Sequence, residues 1–358
     1  MKLLFSPLFT LMTFTLPAQI SWYKCISGKI DKHPVIMHLH KQQHQYSGYY
    51  YYQSTQQPVY FSGEDTSVAG KIKLYAFLPN RETDENLVFS ISDKSVTGEW
   101  SNTSLKKKLN FSGSEIIQQP AWDYVFTSAT SPLRAKNNDS PVASYEAAAV
   151  WPKGNSAQAQ FIKQKIAAWF TKENTKEDIG KIFLKEKKRF FDNYKKEYSD
   201  VSDDDLKQYS YSYNMDQTQE VNVVFQSPKL LTLGSYFYAY TGGAHGNHGY
   251  NYVSIDLSKN RQLTIDDVLT KDGQKKLQPL LEKYFRKSYG LKSTEALSKG
   301  GLFENKIEPN DNFYVTAKGI CFDYQPYEIG PYAMGEISIF IPFTELSPWL
   351  KPEFKKLL

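Results

Sequence analysis

From residue 20 to residue 128 the chain never sustains a helical period. Apolar and polar residues alternate instead, in short runs punctuated by glycine, asparagine, aspartate or serine. In HPVIMHLHK, Val35, Met37 and Leu39 fall on one face of a strand, and Ile36, His38 and His40 on the other. HQYSGYYYYQS, QPVYFSGE, NLVFSISD, SVTGEW and KKLNFSG follow at close spacing. Short strands with turn signals between them predict an antiparallel all-β domain, a barrel or a sandwich. Within the tyrosine run, Tyr49 and Tyr51 face one side and Tyr50 and Tyr52 the other. One pair is expected in the core and the other on a concave face.

The segment TSATSPLRAKNNDSPVAS (127–144) is rich in Ser, Asn and Pro and reads as a linker. The expected division is a signal peptide at 1–18, a β-domain at 19–128, a linker at 129–142 and an α+β domain at 143–358. In the last of these, ASYEAAAVWP reads as extended. Ile162, Ile166, Trp169 and Phe170 make the stripe of an amphipathic helix. Asp178 caps a longer helix that points Ile182, Phe183, Phe190, Tyr194 and Tyr198 inward. VSDDD reads as a turn, after which LKQYSYSYNM, QEVNVVFQS, KLLTLGSYFYAYT and YNYVSIDL read as strands. A helix with Leu277, Leu280, Leu281, Tyr284 and Phe285 precedes strands in NFYVTAKGICFDY and GEISIFIPF and a short terminal helix. This predicts α+β, with an antiparallel sheet and about three to four helices.

Net charge is +5, and the basic excess is spread along the chain, which gives no nucleic-acid footprint. MKLLFSPLFTLMTFTLPAQ has the pattern of a secretory signal peptide, which predicts a secreted or periplasmic protein. No later stretch approaches the roughly 20 apolar residues that a membrane span needs. Of the two cysteines, Cys25 and Cys321, two readings stand: a disulfide formed in an oxidising compartment, or two separate buried thiols.

The segment YAYTGGAHGNHGYNY (238–252) sets His245 and His248 three apart in glycine-rich, non-helical chain. Zinc takes three or four protein ligands, so this pair predicts no metal, and no cofactor motif is present. The segment reads as a hairpin connection with an imidazole bonded to nearby backbone. Its tip is a candidate recognition edge, which makes Tyr238, Tyr240, His245, His248, Tyr250 and Tyr252 the candidate binding residues. His38, His40 and His44 raise a second metal question; His38 and His40 read as a solvent-facing pair. No catalytic residue is predicted.

Three patterns occur in order: YAYTGGAHGNHGYNYVSIDL, LTIDDVL before a helix, and GICFDYQPYEIGPYAMGEISIFIPF. The last carries Tyr324, Pro326, Tyr327, Pro331, Tyr332 and Gly335. Together, over residues 140–350, they resemble an extracellular domain shared by two bacterial groups. One is the lysozyme-responsive membrane anti-sigma factor; the other is a peptidoglycan deacetylase in which the domain precedes the catalytic one. The resemblance implies an α+β fold and a binding role, with a lysozyme-like protein, a peptidoglycan fragment or another cell-envelope glycan as partner. The sequence shows neither a sigma-binding segment nor an Asp-Asp pair with a downstream His-x-x-x-His, so neither signalling nor deacetylation is implied. The expectation is a secreted or periplasmic, non-enzymatic binding protein. The alternative is a hydrolase of envelope polysaccharide, which needs two carboxylates facing each other across a cleft.

Overall fold

A computed structural model describes residues 21–77, 85–102, 106–134 and 140–358. The segment read as a signal peptide lies outside the described residues. The first half is a closed antiparallel barrel. Its strands are β1 (Ser21–Ile30), β2 (His33–Gln42), β3 (Gln45–Tyr52), β4 (Val59–Asp65), β5 (Lys71–Phe77), β6 (Glu85–Ser92), β7 (Ser95–Asn102) and β8 (Lys107–Ile116). Each pairs with its sequence neighbour, and β8 closes on β1 through Cys25↔Ile116 to Ile30↔Phe111. Two-residue connections between β1 and β2 and between β6 and β7 place Asp31 (φ 53°) and Asp93 (φ 51°) in the left-handed region that tight hairpins use. Alternation fills the interior with Ile26, Met37, Leu39, Tyr50, Phe61, Leu74, Phe89 and Phe111.

The next strand, β9 (Trp122–Pro132), belongs to a second sheet and pairs along its length with β10 (Val142–Pro152). This corrects two expectations. Residues 122–128 do not lie in the barrel, and residues 129–132 with 142 are hairpin strand rather than linker. An edge strand built from Thr, Ser and Ala carries the composition of a loop, which hid it in the sequence.

From β10 the chain crosses through α1 (Ala157–Phe170), α2 (Ile179–Glu197) and α3 (Asp203–Gln208) to β11 (Met215–Gln226). The crossover makes β10 and β11 parallel, so the sheet is mixed rather than wholly antiparallel. The α2 helix buries Ile182, Phe183 and Tyr194 as expected. VSDDD, expected as a turn, starts α3 instead. Ser202 caps it, and its three aspartates sit in the first turn, where the helix dipole favours negative charge. The strand expected over 206–215 is accordingly the end of α3 and a short 3-10 turn, with β11 starting only at Met215.

The sheet continues with β12 (Leu230–Tyr240), β13 (Asn247–Asp256) and β14 (Arg261–Gln262), in the order β14-β13-β12-β11-β10-β9. Single turns α4 (Ile265–Val268) and α5 (Lys271–Gln274) lead into α6 (Leu277–Ser288). A three-stranded sheet of β15 (Phe313–Val315), β16 (Gly319–Tyr324) and β17 (Ile337–Pro342) completes the α+β region. No helix among the described residues is long and apolar enough to cross a membrane.

The barrel packs directly against the second region. Tyr49 and Tyr51, on the outer barrel face, join core clusters with Val224, Phe225, Phe322 and Phe340. His38 and His40, expected at the solvent-facing side, are fully buried on the same face. Just before a bulge in β11 between Val223 and Phe225, the Val223 amide donates to His40 Nε2 at 3.4 Å. The other His40 nitrogen faces Ser47 O at 3.3 Å. Burial pushes both imidazoles down to about 3, and for His40 the neighbouring His38 adds to the shift. Beside them runs a polar chain. Gln42 donates to the Tyr124 hydroxyl (2.7 Å), and Asn222 donates to Ser47 Oγ (3.4 Å) and Glu220 Oε2 (3.3 Å). Ser47 also donates to Glu220 (3.2 Å), whose carboxyl pKa burial raises.

Candidate functional site

Where β3 and β4 of the barrel meet β12, β13, β16 and β17, a cavity of about 470 Å³ opens. Tyr49 and Tyr60 come from the barrel, Tyr236 from β12, Tyr250 and Tyr252 from β13, and Tyr314 from β15. The rings form a continuous wall. Tyr49 meets Tyr60 at 5.5 Å between centroids, Tyr60 meets Tyr250 at 5.8 Å, Tyr250 meets Tyr236 at 5.0 Å, and Tyr252 meets Tyr314 at 4.5 Å. These are edge and tilted contacts, the geometries that aromatic quadrupoles favour. Burial pushes the phenols of Tyr49, Tyr250, Tyr252 and Tyr314 well above their ordinary range, so they remain neutral donors.

Two carboxyls line the same space. Asp323 on β16 is 1% exposed. One of its oxygens accepts from Ser338 Oγ, while Oδ1 is buried with no hydrogen-bond partner. Burial pushes this carboxyl up to about 8; Ser338 opposes the shift, and Glu336 and Glu328 add to it. Asp323 is therefore mostly protonated at neutral pH. Glu336, just before β17, accepts from His248 Nδ1 at 2.6 Å. His248 also sits edge-on to Tyr332 at 5.3 Å, and the Tyr332 hydroxyl donates to Gly246 O at 2.7 Å. The two stretches that looked most distinctive in the sequence thus lock onto each other.

The outer edge of β13 shows why. Its partner β14 reaches only Ile255 and Asp256. Beyond that, side-chain amides complete the ladder. Tyr250 N donates to Gln325 Oε1 at 3.1 Å, Gln325 donates back to Tyr250 O, and Asn312 exchanges bonds with Tyr252 N (3.1 Å) and Tyr250 O (2.8 Å). Gly249 leaves the room this needs, since a β-carbon there would stand 1.7 Å from Gln325 Oε1.

Of the candidate binding residues, His248, Tyr250 and Tyr252 line the cavity. Tyr238, Tyr240 and His245 do not. Tyr238 covers Gly246, Tyr240 donates to Gly243 O at 3.0 Å within the hairpin connection, and exposed His245 stacks on Tyr332 at 4.1 Å. Cys25 and Cys321 are free and buried. A disulfide between them is not formed: Cys25 lies on β1 opposite His38, and Cys321 lies on β16 opposite Tyr314 and Phe340, in a different sheet. Tyr49 lines the cavity, as one of the two tyrosine pairs was expected to line a concave face, while sequence reasoning missed Tyr60, Tyr236, Tyr314, Asp323 and Glu336 as site residues. An aspartate in the otherwise apolar and aromatic strand GICFDY was the available signal for one of them.

The fold defines the class first: an α+β region of one mixed and one three-stranded sheet, behind a closed barrel, with a tyrosine-walled cavity at the seam. Residues 136–248 match the family model described as "Deacetylase PdaC", and residues 266–344 match the one described as "Protein of unknown function (DUF3298)". The α+β region is thus similar to the modules its sequence patterns indicated, and the matched residues all lie outside the barrel. Over 119 residues the chain is 29% identical to Peptidoglycan-N-acetylmuramic acid deacetylase PdaC of Bacillus subtilis (strain 168), a match covering 33% of this chain. The chain spans only 25% of that relative's length. A crystal structure of a DUF3298 family member from Bacteroides fragilis shares the fold, with a TM-score of 0.59 at 23% identity over 66% of this chain and 98% of that one.

Proposed function

We propose that this chain is a non-catalytic, extracytoplasmic binding protein of the cell envelope, and that its seam cavity holds a carbohydrate segment of the wall. The observation that carries this reading is the cavity itself. Tyrosines from both halves of the molecule supply flat faces for the apolar sides of sugar rings and hydroxyls for their polar rims. Asp323 adds a buried oxygen with no partner inside the protein. A preformed, mostly aromatic concavity with a few convergent polar groups is the usual build of a small-ligand site. The similarity to a peptidoglycan deacetylase supports the choice of wall glycan over other carbohydrates.

Co-sedimentation with purified peptidoglycan tests the reading. The full chain should pellet with the polymer, and Tyr236→Ala, which removes a half-buried wall ring, should weaken binding roughly three- to tenfold. Equal retention of both would place the contact elsewhere on the surface. A second reading, hydrolysis, is favoured by one observation: a carboxyl held protonated and a second carboxylate share this cavity. Release of new reducing ends on incubation with peptidoglycan would replace binding by hydrolysis. A complex with added lysozyme that leaves peptidoglycan unbound would favour the protein partner that the resemblance implies.

A further inference from the structure

The charge of the cavity narrows the class of sugar it can take. Neither lysine nor arginine lines it among the described residues. The titratable groups facing Asp323 come from every element around it: Tyr49 of the barrel, Tyr252 of β13, Tyr314 of β15, Cys321 and Tyr324 of β16, Glu336 before β17, and Glu328 of the β16–β17 connection. All are acids. The one imidazole at the cavity, His248, points its Nδ1 at Glu336. A buried carboxyl with an unused oxygen, a second carboxylate and walls of aromatic π-faces together leave a single deficit, a positive charge. Aromatic faces attract cations through their quadrupole, and a primary ammonium brings three donors.

We propose that the cavity selects a sugar bearing a free amine, its ammonium seated against Asp323 Oδ1 with tyrosine faces around it. This rests on the reading of the cavity as the carbohydrate site and specifies the ligand's charge. An acetamido sugar offers no charge to Asp323, and a carboxylate-bearing sugar would face two acidic groups, with the one imidazole there already turned to Glu336. Binding of an ammonium stabilises the ionised form of Asp323. Below the pH near 8 where that carboxyl titrates, complex formation therefore releases a proton.

The test is titration calorimetry of the full chain with an N-acetylglucosamine oligomer and with its de-N-acetylated counterpart, in two buffers of different ionisation enthalpy. The free-amine oligomer should bind at least about tenfold more tightly at about pH 5.5, where the sugar amine is protonated, and release close to one proton per site. Its affinity should rise by up to about tenfold per pH unit from about pH 4.5 to about pH 6, below the range in which a 2-amino sugar loses its own proton. Asp323→Asn, an isosteric change at a carboxyl already neutral, should keep its far-UV circular dichroism, lose the proton release and bring the two affinities close together. Equal or tighter binding of the acetylated oligomer would overturn the proposal and leave the cavity reading in place. Amine preference without proton release, or release unchanged in Asp323→Asn, would seat the amine away from Asp323 and overturn it as well. Binding of neither oligomer would overturn the cavity reading and this proposal together.

Discussion

Asp323 is costly to keep where it is. Its pKa is raised from 3.8 to about 8, chiefly by burial. For an acid whose folded pKa lies above its unfolded one, the folded state binds the proton more tightly. Its contribution is therefore fully present below the unfolded pKa and is lost as pH rises toward the folded one, at up to about 1.4 kcal/mol per pH unit. Asp323→Asn should gain stability relative to wild type from about pH 4 to about pH 8 and hold a constant advantage above that, read from denaturant midpoints. A parallel pair of curves would contradict a neutral buried carboxyl. His38 and His40 act with the opposite sign. Their folded pKa values lie near 3, below the ordinary 6.5, so stability present above 6.5 is lost as pH falls through that window. A His40→Gln variant, with no imidazole to charge, should show a shallower loss on acidification. His245 is different again. It is exposed and stacked on Tyr332, so His245→Ala should lower stability by about 1 kcal/mol and leave cavity binding unchanged.

The β13 edge is the element that joins the hairpin to the C-terminal sheet. Gly249→Ala would drive a methyl group into Gln325 and Phe237 and cost about 1–3 kcal/mol, measured as a lower melting temperature with weakened ligand binding. A neutral result would mean that Gln325 swings away freely and does not hold the strand. Much of the element order was readable beforehand, because period-2 alternation in β2 to β4 and β6 to β8 and the apolar stripes of α1 and α2 are strong local signals; β1 and β5 were not singled out. The failures were also physical. β9 is an edge strand whose Ser and Thr residues look like a linker. At α3, a cap followed by three acids competes with the turn that the same residues suggest. The cavity was half readable, since Tyr250, Tyr252 and His248 lie beside the glycine-rich connection. Its other half comes from Tyr49, Tyr60 and Asp323, far apart along the chain, and only tertiary packing brings them together.

The molecule as a whole is held across its seam by rings, imidazoles and the Gln42–Tyr124 and Ser47–Asn222–Glu220 contacts. Removing one member of a buried polar chain leaves its partners unsatisfied, so Asn222→Ala should cost about 1–3 kcal/mol. Because the seam is buried, the two regions should unfold together. Phe61→Ala, in the barrel interior, should cost about 3–5 kcal/mol and lower the unfolding midpoint of the α+β region with that of the barrel. Two separated transitions would contradict a coupled seam. The same coupling places the site: if the cavity is the binding site, its ligand touches both halves at once. The most direct measurement is backbone hydrogen exchange of the full chain with and without a saturating wall-glycan oligomer. Protection should rise together in β4, in the Tyr250–Tyr252 stretch of β13 and in β16–β17. Protection confined to the hairpin connection at 241–246, or to one side of the seam, would contradict it.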